Sequence, residues 1–157
     1  MACNRKANVE KAEVEVIHVV VQSEEDVPEP PPLRLTSRFK TVQEWLFNIC
    51  DTDKPKKPIT TYNFGLFEVE EDYIVFLVGL NTYNREQYSS ATRIDFEPSG
   101  MYFPLPKSEY KNLKREQVLE RLTAQLRNFT KTARFKHSFF AEAKSVTTDF
   151  KGEIWTK

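Results

Sequence analysis

The stretch Tyr73-Ile74-Val75-Phe76-Leu77-Val78-Gly79-Leu80 is nearly continuous in apolar residues and carries no charge. It is far shorter than the ~20 residues that span a bilayer. Its β-branched and aromatic content reads as a strand, and a strand without a polar face is covered on both sides. It is therefore central. We expect it to run from Tyr73 to Tyr83, paired through a Glu70-Glu71-Asp72 turn with a strand from Thr61 to Val69.

The flanking segments supply the cover. Thr41-Val42-Gln43-Glu44 has capping-box spacing, and Val42, Trp45, Leu46 and Ile49 follow at i, i+3, i+4 and i+7. That is a helix with one apolar face, ended by the polar loop Asp51–Pro58. A second helix is expected over Lys114–Thr130, with Val118, Leu119, Leu122, Leu126 and Phe129 as its stripe. Between them, Thr92–Glu97 alternates apolar and charged residues, Pro98-Ser99-Gly100 signals a turn, and Met101–Leu105 reads as a short strand. Pro104 and Pro106 mark that strand as an edge. Segment 135–143 fits either helix or strand. Ser145–Thr148 and Glu153–Trp155 read as strands about a turn containing Gly152.

The chain's 157 residues suit one domain, and 12 Phe, 6 Tyr and 2 Trp provide the material for a sizeable core. The expected class is α+β: an antiparallel β-sheet of about five to seven strands with two main helices packed on one face. Residues 36–157 form that domain. Residues 1–35 form an arm with a Val-rich strand from Glu13 to Val21 and an acidic, proline-rich linker. The arm's strand docks at a sheet edge or supports a homo-oligomer. His18 falls in register with Val14, Val16 and Val20, as a half-buried strand residue would.

Scarcity excludes several chemistries. The glycines are Gly65, Gly79, Gly100 and Gly152, so neither G-x-G-x-x-G nor a P-loop can be written. G-x-S-x-G is absent too. Cys3, Cys50, His18 and His137 are scattered, with no C-x-x-C or H-E-x-x-H pair to hold a metal. A Cys50–His137 pair could meet only through the fold, and Cys50 ends an apolar helical stripe, where a thiol acts as a small hydrophobe. No catalytic residue, metal or cofactor is expected. No apolar h-region follows the charged start at Arg5 and Lys6, so the expectation is a soluble, cytoplasmic chain without a membrane segment.

Net charge is zero, but its distribution is uneven. From Thr61 to Gly100 seven acids face two bases, and from Lys107 to His137 nine bases face three acids. Glu68, Glu70, Glu71 and Asp72 crowd one hairpin beside Tyr73, while Asp95 and Glu97 should share one strand face. Together these form a candidate acidic partner-binding surface, able to steer a cationic partner. The basic helix 114–131 supports an alternative, nucleic-acid contact through Lys114, Arg121 and Arg127. A further alternative is an enzyme with no recognisable motif, using Asp95, Glu97 and a histidine.

Tyr62-Asn63-Phe64-Gly65-Leu66-Phe67-Glu68, leading into Tyr73–Gly79, and the ending Ser145–Trp155 complete the picture. Over roughly Thr41 to Trp155 the chain resembles small cytoplasmic immunity proteins of bacterial contact-dependent or polymorphic toxin systems. The resemblance implies tight binding to a cognate toxin, occlusion of the toxin's active site, and no turnover. An acidic patch suits a toxin with a cationic substrate groove, such as a nuclease.

Overall fold

A computed structural model describes residues 31, 35–70, 72–81 and 94–157. The expected Val-rich strand, the acidic linker, Glu71, Tyr83 and the start of the Thr92–Glu97 segment lie outside the described residues. The described chain runs α1 (Val42–Thr52), β1 (Thr61–Val69), β2 (Asp72–Leu80), β3 (Ile94–Phe96) and β4 (Tyr102–Pro104). It continues with α2 (Lys107–Tyr110), α3 (Arg115–Thr130), α4 (Ala133–Lys136), a 3₁₀ turn (Phe139–Glu142), β5 (Ser145–Thr148) and β6 (Gly152–Thr156).

The six strands form one mixed, mostly antiparallel sheet in the order β3-β2-β1-β5-β6, and β4 also pairs with β2. The fold is α+β. The sheet departs from a purely antiparallel arrangement at one place: β5 lies parallel to β1, with Thr61 opposite Ser145 and Phe64 opposite Thr148. The chain reaches β5 by crossing back over the sheet through α3, and a crossover of that kind delivers a strand in the parallel sense. β2 is buried over most of its length, as an uninterrupted apolar strand must be. Segment 135–143 is helical, because Thr132 and Ser138 each cap a short turn by accepting a backbone amide hydrogen bond.

Alternation along β1 and β2 divides the core in two. Tyr62 and Phe64 of β1 and Val75 and Leu77 of β2 face α1 and α3 in the main cluster. There Val42, Trp45, Leu46 and Ile49 meet Val118, Leu122, Leu126 and Phe129. Trp45 stacks on Phe103 at 5.4 Å and donates from Nε1 to the Gly100 carbonyl at 2.7 Å, tying α1 to the turn before β4. On the opposite face Phe76, Val78 and Leu80 form a smaller cluster with Phe67, Ile94, Met101 and Tyr102. Gly65 lies directly across from Phe76, and a Cβ there would stand 2.1 Å from the Phe76 ring. The glycine makes room for the ring.

The parallel β1–β5 seam carries a polar ladder. Thr61 Oγ1 and Ser145 Oγ lie 3.1 Å apart. Thr147 Oγ1 donates to Asn63 Oδ1 at 2.7 Å, and Asn63 Nδ2 donates to Asp149 Oδ1 at 2.7 Å. Asn63 is fully buried, so these bonds replace the water it has lost. Among the described residues, no helix is long and apolar enough to cross a membrane.

Candidate functional site

The β1–β2 hairpin sets the geometry of the acidic tip. Val69 pairs with Asp72, leaving a two-residue turn. Glu70 occupies it with φ 57°, the left-handed conformation that tight hairpin turns require. Its side chain is exposed. Glu68, on β1 opposite Tyr73, pairs with Arg115 at the start of α3. Asp72 pairs with Lys107 Nζ at 3.3 Å, at the start of α2. Both pairs are substantially exposed, so each contributes only about 0–1 kcal/mol. Their larger effect is on the field: two of the tip's carboxylates are neutralised by bases from the second half of the chain. The Tyr73 ring packs against the main core.

Asp95 and Glu97 do not join this surface. The tip sits at the Asp72 end of β2, whereas β3 pairs with Gly79 and Leu80 at the other end. At about 3.3 Å per residue the two ends stand roughly 26 Å apart. Nor do the two carboxylates share a strand face. β3 ends at Phe96 and leaves Glu97 beyond it, followed by Pro98, which has no N–H to donate to a neighbouring strand. Glu97 is exposed. The Asp95 side chain is 9% exposed and bound within the protein: Oδ2 accepts from the Asn81 amide at 2.9 Å and Oδ1 from Lys57 Nζ at 3.0 Å. Asn81 in turn accepts from the Thr60 amide at 2.8 Å. This network fastens the loop before β1 to the end of β2.

Beside the tip lies a groove of about 540 Å³. Leu35, Phe39, Leu105 and Pro106 give it apolar walls, and Asp72 and Lys107 reach it from the hairpin and from α2. The groove was not legible from the hairpin alone. Its signals are the isolated Phe39 before the α1 cap and Leu105 between two prolines.

The basic helix is also partly committed. Arg121 Nη1 donates to the Glu109 carbonyl at 2.7 Å and its guanidinium lies 5.6 Å from the Tyr110 ring centre. Beyond that helix, on α4, Arg134 pairs with Asp51 at 2.9 Å and covers the Phe47 ring at 4.8 Å. Lys114 and Arg127 are exposed.

Cys50 and His137 line a second cavity, of about 590 Å³. Burial pushes the Cys50 thiol up to about 11, against the opposing hydrogen bond from Ser138. A nucleophilic cysteine needs the reverse shift. Among the described residues, no group of three or more His, Cys, Asp or Glu is placed to hold a metal ion.

No protein-family model, no curated protein and no solved structure matches the chain.

Proposed function

We propose that this is a non-enzymatic protein-binding domain, and that its partner is a cognate bacterial toxin whose active site it occludes. The observation that carries the reading is the groove beside the β1–β2 tip. An apolar floor of Leu35, Phe39, Leu105 and Pro106, rimmed by Asp72 and Lys107, has the arrangement of a protein interface. Glu70 projects beside it as an exposed acid. The raised Cys50 thiol weighs against nucleophilic chemistry where Cys50 and His137 line a common cavity. The toxin assignment comes from the resemblance of residues 41–155 to immunity proteins.

The docking surface is then the tip and groove: Glu68, Glu70, Asp72 and Tyr73 with Phe39 and Lys107, while Glu71, expected with them, lies outside the described residues. Asp95 and Glu97 lie outside this surface. The test is an affinity pull-down from native lysate with mass spectrometry, followed by binding of the recovered partner to variants. A single stoichiometric partner with a toxic domain is expected. Glu70→Lys should slow association, and Phe39→Ala should weaken affinity about tenfold or more, as loss of an aromatic anchor does. A toxin bound equally well by both variants would move the interface elsewhere. Recovery of nucleic acid alone would replace the toxin reading with contact through α3.

A further inference from the structure

The second cavity has a feature that the groove lacks. Tyr62 lines it and is 1% exposed, its ring held by Phe139 and Phe140 at 5.5 and 4.8 Å. Its hydroxyl has no hydrogen-bond partner among the described residues. Tyr110, buried to a similar degree, donates to Gln125 Oε1 at 2.9 Å, as a buried phenol ordinarily does. Nor is the Tyr62 hydroxyl sealed in the core. Among the described residues the sealed side-chain oxygen without a partner is Thr123 Oγ1. The Tyr62 phenol is thus a donor held rigidly at the cavity wall. Burial, reinforced by the charge of Glu142, pushes its pKa far up, so it keeps its proton.

The rim sorts by charge once internal pairs are set aside. Lys57 is paired with Asp95 and Asp51 with Arg134, whereas Asp53 accepts from the neutral Ser99 amide and keeps its negative charge. Lys54 and Lys56 stay exposed, without an ion pair among the described residues. Glu142 acts on the phenol end, where it opposes an anion and leaves a neutral acceptor the better fit. The Phe139 ring, 5.5 Å from the Tyr62 ring, adds a flat apolar surface to the cavity lining.

We propose that this cavity binds a small aromatic carboxylate, its ring against Phe139, its carboxylate at Lys54 and Lys56, and a neutral acceptor on the Tyr62 hydroxyl. The volume of about 590 Å³ lies within the usual range of small-molecule sites. The site is at the Thr61 end of β1, opposite the hairpin tip, and stands independently of the toxin reading.

The test is an NMR titration of the ¹⁵N-labelled full chain with 4-hydroxyphenylacetate and, separately, with 4-hydroxyphenylacetamide. Saturable shifts at Ile59, Tyr62 and Phe139 are expected, with the carboxylate the tighter ligand. Tyr62→Phe keeps the ring and should weaken binding about threefold to tenfold, the loss of one hydrogen bond. A Lys54→Gln/Lys56→Gln variant, changed only at exposed positions, should erase the preference for carboxylate over amide. Shifts that do not saturate by about 10 mM, weaker than the weakest useful fragment affinities, overturn the proposal. So does equal affinity of the two ligands, or of Tyr62→Phe and the native chain.

Discussion

Glu70 holds a conformation that costs an L-residue about 1–2 kcal/mol. Glycine carries no such cost, and Glu70→Gly should therefore raise stability by up to about 1 kcal/mol in urea unfolding. If Glu70 touches a partner, the same change weakens binding, so stability and affinity move in opposite directions. Cys50 makes a different prediction. The fold shifts its thiol from 9.0 to about 11, favouring the protonated form. Its contribution to stability is complete below the unfolded pKa and is lost as pH rises from 9.0 through about 11. At pH 8 its thiolate fraction is about a hundredfold below that of an unshifted thiol, and iodoacetamide should label it correspondingly slowly until the protein is denatured. Rapid labelling of the native protein at pH 8 contradicts this placement.

At the scale of elements, the polar ladder explains what holds β5 in its parallel register. Asn63 accepts from Thr147 and donates to Asp149 in a buried setting, so Asn63→Ala strands the Thr147 hydroxyl. A loss of about 2–4 kcal/mol in unfolding free energy is expected. Thr147→Val in the same background should recover part of it, since the stranded hydroxyl goes too. Purely additive costs would mean that the two side chains do not cooperate. This seam was also the least legible part of the sequence. Periodicity identified β1, β2, α1 and α3, because burial on one or both faces writes itself into residue spacing. Strand direction leaves no such trace, and Ser145–Thr148 looks the same parallel or antiparallel. The helical turns at 133–142 were ambiguous because their apolar run is short, although Thr132 and Ser138 held the capping signal. The acidic tip was legible as a cluster of charges, but its pairing with Lys107 and Arg115 depends on contacts between distant elements.

Across the whole molecule, the acidic and basic halves of the sequence are folded against each other, so the charge asymmetry read along the chain is partly cancelled in space. The two concave surfaces stand at opposite ends of β1, the apolar groove near the hairpin tip and the Tyr62 cavity near Thr61. The parallel pairing of β1 with β5 also fixes a schedule. Thr61 waits for Ser145, and at roughly 5–20 residues per second a ribosome takes about 4–17 s to make the intervening chain. Over that interval the β1 edge of the nascent hairpin presents open backbone donors and acceptors. Chains stalled with Leu126 just outside the exit tunnel should be cleaved readily in β1 by a protease, and chains released past Thr156 should resist. The time between those two lengths is when a chaperone, or a second nascent chain on the same message, has access to the edge that β5 later closes.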